Sequence, residues 1–360
     1  MKRIVLTGGG TAGHVTPNIA LIPALKEADY DIHYIGSFDG IEKRLIEDFD
    51  IPYYGISTGK FRRYFDLKNF TDPFRVMKGY AEAKKILKQI APDIVFSKGG
   101  FVSVPVVRAA HALHIPCIIH ESDMTPGLAN KICIPVAEKI CLNFPETMQY
   151  IPKGKGILTG SPIRKELSEG DAERARTLCG FNSDKPVVMV MGGSLGAAAI
   201  NKAIREALKS ILEDFQVIHI CGKEKVDNLL LGVEGYKQFE YVKTELKDLF
   251  ALADVIVSRA GANAICELLA LKKPNILIPL SPKASRGDQM LNAKSFEAQG
   301  FSIVIDEDDL SDSLLVEKIR ELYCSRHIYM EAMERSNQLN SIDTIIKLIQ
   351  DTTPADEETE

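Results

Sequence analysis

The sequence predicts an α/β protein made of two Rossmann-like domains facing across a cleft. Three observations carry this reading. Short β-branched runs alternate with longer helical patterns, the opening strand of each half runs into a glycine turn and then a helix, and the pattern restarts near residue 186. Strands buried on both faces read as continuous apolar runs, the mark of parallel sheets covered by helices.

In the first half Arg3–Thr7 reads as a strand, followed by Gly8-Gly9-Gly10 and a helix from about Pro17 to Ala28. Further strands are read at Ile32–Ile35, Ile94–Phe96 and Cys117–His120, each entered or left by Gly, Pro or Asp. In the second half Val187–Met191 is the strand, Gly192–Gly196 the turn and Ala197–Leu212 the helix. Val217–Ile220, Val255–Val257 and Asn275–Ile278 follow as strands. Pro152, Gly154, Gly156, Gly160 and Pro162 crowd the boundary. The expected domains are therefore 1–160 and 161–350, with Asp351–Glu360 an acidic, disordered tail.

Bulk properties narrow the function classes. A chain of 360 residues exceeds what one core usually covers, so two domains of roughly 150–180 residues are expected. A net charge of −5 argues against a general nucleic-acid binder. The seven cysteines form no C-x-x-C pair and mostly sit in apolar runs, which fits buried thiols in a reducing compartment. The N-terminus lacks a signal-peptide core and no apolar run approaches the ~18 residues of a spanning helix. Membrane contact is thus expected from the cytoplasmic surface only.

Ligands of such sheets bind beyond the carboxyl ends of the strands, so the loops there hold the candidate chemistry. Gly8–His14 leaves the first strand and leads into a helix, where glycines let a ligand approach and a helix N-terminus favours phosphate. Gly8, Gly10 and Gly13 also satisfy G-x-G-x-x-G, so a nicotinamide cofactor competes. That reading needs an acidic residue at the end of the second strand, which instead ends Tyr34-Ile35-Gly36-Ser37. His14, at the mouth of the turn, stands open between a structural and a catalytic histidine. Gly192–Gly196 repeats the arrangement, and two such loops suit a ligand bearing phosphates better than two tight turns. Ser97–Ser103 offers further backbone donors, while Lys98 is either a contact or solvated.

Ser258–Glu267 opens a helix with glycine and alanines. Glu267 falls where a carboxylate can take a ribose diol, or where it merely complements the helix dipole. Arg286–Ala293 follows a buried strand and is placed to read sugar hydroxyls, or to be a plain helix start capped by Asp288. The Asp-x-Asp pairs at Asp29, Asp48 and Asp306 read as surface turns, and no His/Cys cluster has zinc spacing, so no metal and no cofactor are expected. Lys60–Lys88 carries nine basic residues against Asp66, Asp72 and Glu82, interleaved with aromatics. It is read either as a surface that meets an anionic membrane or as a partly buried segment with a solvated face.

These motifs together resemble the MurG family, transferases that add N-acetylglucosamine to undecaprenyl-diphosphoryl-muramoyl-pentapeptide in peptidoglycan synthesis. The likeness spans roughly residues 1–345 through Gly8–Pro17, Ser97–Pro105, His120–Lys131, Gly160–Arg164, Gly192–Ala197, Arg259–Glu267 and Arg286–Ala293. It implies a GT-B fold, with the lipid-linked acceptor in the N-terminal half and UDP-N-acetylglucosamine mainly in the C-terminal half. It further implies that Thr11, Ala12 and Gly13 contact the donor, Arg164 and Ser194 its diphosphate, and Glu267 its ribose. Ala262, Asn263, Ala264, Ile265 and Glu267 would cradle the nucleotide, Gln289 would read the sugar, and the backbone near Val242 the uracil. Ala12 stands where the family often has glycine, and Ser122-Asp123 where it often has Gln-Asn.

The expected chemistry is an inverting displacement at the cytoplasmic face of the membrane. His14, or less favourably Asp123, takes the acceptor's 4-hydroxyl proton, while Arg164, Ser194 and a helix N-terminus replace a metal at the leaving group. A UDP-sugar 2-epimerase of the same architecture and a non-catalytic nucleotide-binding module are the rivals.

Overall fold

The computed structural model describes residues 1–59, 72–193, 197–281 and 287–354, with the backbone alone at 72–74. Within them the chain divides into a first unit, Met1–Arg164 with Asn340–Glu360, and a second, Lys165–Leu339.

In the first unit the strands are β1 (Lys2–Thr7), β2 (Tyr30–Ser37), β3 (Tyr53–Ile56), β4 (Ile94–Ser97), β5 (Cys117–Glu121), β6 (Lys139–Leu142) and β7 (Gly156–Leu158). They pair in parallel in the order β3-β2-β1-β4-β5-β6-β7. The order reverses between β1 and β4, which creates the switch-point crevice of a doubly wound sheet. Side chains of β1 alternate between the two faces. Ile4 and Leu6 pack with α1 (Thr16–Glu27) and α12 (Ser341–Thr352), while Val5 packs with α3 (Asp72–Ile90), α4 (Ser103–His111) and α5 (Leu128–Cys133). A short helix α2 (Ile41–Ile46) follows β2.

The second unit repeats the plan with β8 (Val187–Met191), β9 (Gln216–Ile220), β10 (Tyr236–Phe239), β11 (Val255–Ser258), β12 (Asn275–Leu277) and β13 (Ser302–Val304). Its order, β10-β9-β8-β11-β12-β13, again reverses beside its first strand. Val188 and Val190 face α7 (Ala198–Ile211) and α11 (Asp312–Glu334) through Ile200, Ile204, Leu208, Leu315 and Ile319. The remaining helices are α6 (Ala172–Cys179), α8 (Leu246–Leu252), α9 (Ala262–Ala270) and α10 (Asp288–Ala298).

The structure corrects the expected division of the chain. Residues 340–350 return to the first unit, because α12 lays Ile345 and Ile349, both fully buried, against the α1 face of the first sheet. The expected tail also begins too early. Asp351 and Thr352 finish α12, and the buried Thr353 hydroxyl lies 3.1 Å from that of Tyr30. Residues 355–360 of that tail lie outside the described residues. Six of the seven cysteines are buried and Cys324 is exposed. Ile349 is fully buried in the core of the first unit, so Ile349→Ala should cost about 2–4 kcal/mol. Urea unfolding followed by far-UV circular dichroism checks this.

Candidate functional site

The carboxyl edge of the first sheet gathers four loops. The loop after β1 holds Gly8–His14, that after β2 runs Phe38–Gly40 into α2, that after β3 begins at Ser57, and that after β4 runs from Lys98 to Val102. A cavity of about 900 Å³ is lined there by Gly9, Gly10, Thr11, His14, Glu42 and Lys78, with residues of the same loops completing its wall.

Buried polar groups fix the shape of the glycine loop. Asn18 donates to Thr7 O at 3.1 Å and Tyr34 donates its hydroxyl to Gly8 O at 2.7 Å, so the carbonyls beyond β1 are satisfied from α1 and β2. Glu42, fully buried, accepts the Gly10 N–H at 3.1 Å and the Ser37 N–H at 3.0 Å, and also the Ser37 hydroxyl. Gly9 leaves room for that carboxylate, since a Cβ there would sit 2.5 Å from its carbon. Gly10 takes φ +87°, a region that favours glycine. Sequence reasoning missed Glu42, which lies five residues beyond the strand whose end it anchors.

His14 closes the following 3-10 turn and lines the cavity. Its Nδ1 lies 3.2 Å from Lys98 O, and a carbonyl only accepts, so Nδ1 carries the hydrogen. Burial first, and the Lys98 ammonium second, lower its pKa to about 4 against the opposing carbonyl bond. The ring is thus neutral near pH 7, with the lone pair on Nε2. Lys98 itself corrects the reading of a solvated or ligand-facing lysine: it is 1% exposed and its ammonium meets the Ser122 hydroxyl.

The loop after β5 is organised by Glu121, which accepts from the N–H groups of Asp123 and Gly127 and the amide of Asn130, each at 2.9 Å. His120 donates Nε2–H to Gly160 O at 2.9 Å, and burial drives its pKa well below the usual range. Asp123 is half-buried and does not line the cavity that holds His14.

In the second unit the expected donor residues lie at the carboxyl edge of the sheet, in the loops after β10, β11 and β12. Val242 is buried in the loop after β10, and α9 starts at Ala262 with Gly261 preceding it. Asn263, Ala264 and Glu267 are half-buried on the first turns of α9, and Ile265 is buried into the core. α10 is pinned across both neighbouring loops: Asn292 donates to Ala260 O at 3.1 Å and Gln289 accepts the Leu280 N–H at 3.1 Å. Arg259, 8% exposed, pairs with Glu307 and donates to Ile278 O at 3.0 Å, so it is structural. Glu307, expected on a surface turn, is turned inward and also takes the Ser281 N–H at 3.1 Å. His219 is buried between Asn201 and Tyr236, and burial with the Arg205 guanidinium lowers its pKa to about 3.

Arg164 is exposed at the end of the first unit's main segment. Ser194 and Arg286 lie outside the described residues, as does the part of the basic stretch from 60 to 71. Among the described residues no His/Cys/Asp/Glu group has the makings of a metal site.

Comparison with known proteins gives a consistent result. The model of the glycosyltransferase family 28 N-terminal domain matches residues 4–142, and that of its C-terminal domain residues 187–349. A relative from Lachnospira eligens is 62% identical over 98% of this chain and 99% of its own. One from Clostridium tetani is 57% identical over 97% and 98%. Both are named UDP-N-acetylglucosamine–N-acetylmuramyl-(pentapeptide) pyrophosphoryl-undecaprenol N-acetylglucosamine transferase. The crystal structure of Acinetobacter baumannii MurG superposes with a TM-score of 0.74 at 26% identity, covering 98% of this chain and all of that one. A UDP-GlcNAc 2-epimerase from Neisseria meningitidis reaches 0.68 over 98% of this chain at 14% identity, which speaks for the shared fold alone.

His14 binds its proton more weakly folded than unfolded, where ~6.5 applies. The unfolded chain therefore takes up more protons between about pH 6.5 and 4, and stability falls as pH drops through that window. His120 and His219 act in the same direction. Urea midpoints of His14→Gln should fall less steeply than wild type across it, whereas equal slopes would mean that His14 titrates normally.

Proposed function

This chain belongs to glycosyltransferase family 28, and from that premise we infer that it is a hexosyltransferase of GT-B fold. It moves N-acetylglucosamine from UDP-N-acetylglucosamine to the 4-hydroxyl of undecaprenyl-diphosphoryl-N-acetylmuramoyl-pentapeptide. The near-full-length identity of 62% to a transferase so named supports this choice over the epimerase, whose likeness is one of fold.

The observation that carries the mechanism is the state of His14. A neutral imidazole with its hydrogen held by the Lys98 carbonyl presents Nε2 as a base on the wall of a cavity large enough for a sugar. Nε2 takes the proton of the acceptor's 4-hydroxyl as that oxygen attacks the anomeric carbon of N-acetylglucosamine. The bond from that carbon to the β-phosphate oxygen breaks with inversion, and UDP leaves with the electron pair. Asp123 is the weaker base, since it does not share the cavity. Thr11, Ala12 and Gly13 meet the donor, Arg164 and Ser194 its diphosphate, and Glu267 the ribose diol. The N-terminus of α7, a helix of 14 residues, adds its dipole at the leaving group. Ala262–Ile265 cradle the nucleotide, Val242 offers backbone to the uracil, and Gln289 reads the sugar through its amide NH₂.

The enzyme works at the cytoplasmic face of an anionic membrane. No helix among the described residues is long and apolar enough to cross one. Supporting a peripheral contact, α3 exposes Lys85, Lys88 and Met77, the last 69% exposed. A hollow of about 380 Å³ beside it is lined by Val76, Tyr80, Val104 and Pro105, with Arg108 and His111 among its residues.

The test supplies purified protein with sugar-labelled UDP-N-acetylglucosamine and a short-chain lipid-diphosphoryl-muramoyl-pentapeptide. Label should reach the lipid product, and His14→Ala should lower kcat by about 10²–10⁴-fold with donor binding kept. Normal turnover in His14→Ala would move the base elsewhere, and no labelled lipid from wild type would end the transferase reading.

A further inference from the structure

The cavity of the first unit has an uneven charge distribution, and it opposes the usual role of a glycine loop. A glycine turn after the first strand of a doubly wound sheet normally offers its N–H groups to phosphate. Here the Gly10 N–H is taken by the buried Glu42 carboxylate, and the Gly9 N–H by Gly99 O at 3.3 Å. Asp39 lines the same part of the cavity. An anion built into the loop stands where a phosphate would, and repels a second one.

Positive charge enters the cavity from α3. Arg75 and Lys78, three residues apart on one helical face, both line it. They are held there by backbone contact. A Cβ at Gly79 would fall 2.0 Å from Ser57 O, so only glycine lets α3 approach the loop after β3 so closely. Glu82, one turn on, accepts the Ser57 N–H at 2.6 Å and its hydroxyl at 3.2 Å, and lies 3.7 Å from the Lys78 ammonium. The cations thus belong to the β3 end of the cavity, and His14 to the loop after β1. Two strand spacings, roughly 10 Å, separate those strands.

The acceptor assigned above carries its reacting 4-hydroxyl at one end of a sugar ring and its diphosphate at the other, so the inference rests on that reading. We propose that Arg75 and Lys78 form the subsite for the acceptor's diphosphate, and that the Glu42-filled glycine loop receives neutral hydroxyls and excludes phosphate. Arginine suits this task, because its planar fork meets phosphate oxygens in pairs. Anionic headgroups of a membrane share the phosphate chemistry, and the experiment separates the two sources.

Full-length wild type and the Arg75→Ala/Lys78→Ala double variant are compared in solution, without vesicles, using a water-soluble short-chain acceptor. The acceptor KM of the double variant should rise at least tenfold while the KM for UDP-N-acetylglucosamine stays within twofold. Inorganic pyrophosphate should compete with the acceptor in wild type and lose that competition in the variant. Arg75→Lys with Lys78 intact should fall between wild type and the double variant, since it keeps the charge and loses the fork, and a folding defect would not give that order. An unchanged acceptor KM in solution overturns the subsite, and so does a defect seen only with anionic vesicles. Glu42→Gln supplies the opposite arm: if phosphate sat on the glycine loop, removing the like charge would tighten the acceptor, and that result also overturns the proposal. A wild type that transfers nothing removes the acceptor reading and the subsite together, whereas active wild type with unaltered variants removes the subsite alone.

Discussion

A parallel strand has to be covered on both faces, because its side chains are apolar on both. This requirement gives each unit helices above and below a sheet and leaves only the strand ends open to solvent. In each unit the backbone turns and the polar residues just past the strands accordingly meet at one rim, the carboxyl edge, which is where ligands of such sheets bind. The apolar rows that build the core, Ile4 and Leu6 on one face and Val5 on the other, are also what points Gly8–His14 at the cavity.

Within that rim the polar groups work in layers. Asn18, Tyr34 and Glu42 satisfy the backbone of the glycine loop, and Glu121 does the same for the loop after β5. The two histidines nearest these loops are kept uncharged chiefly by burial and secondarily by the Lys98 ammonium. An enclosed lysine is costly to keep. Its effect here is electrostatic: a fixed positive neighbour disfavours a second cation on His14, which keeps the ring neutral across the physiological range and makes it a weaker base than a free imidazole.

The sequence made the backbone features legible and hid the side-chain ones. Glycine turns after β1 and β8, and the strands leading to them, announce themselves through local composition, since a turn needs its glycine wherever the fold puts it. The edge strands β3 and β7 are broken or opened by a glycine and stand out less than the similarly short β4 and β11, whose Ile94–Phe96 and Val255–Val257 are unbroken apolar runs. Glu42 was invisible for a different reason. A ribose ligand in a dinucleotide fold is an acidic residue at the end of the second strand, and Glu42 lies just beyond that strand but turns back onto the loop. Only the tertiary placement of α2 against the glycine loop decides between those uses. Lys98 stays undecided from sequence likewise, because nothing local distinguishes a lysine in a glycine-rich loop that is solvated from one that is sealed. Residues 340–350 follow the second unit directly in sequence, and no composition shift marks their return to the first.

That return of the chain makes the second unit an insertion within the first. The last strand of the first sheet ends at Leu158, yet a face of its core stays open until Ile345 and Ile349 arrive. During synthesis the apolar surface around β1 and α1 therefore stays uncovered until residues 341–352 have been made. The inserted unit can fold first, and by holding residues 165 and 339 at a fixed separation it shortens the loop that must close before α12 can dock. The half made second is thus free to become native before the half made first is complete.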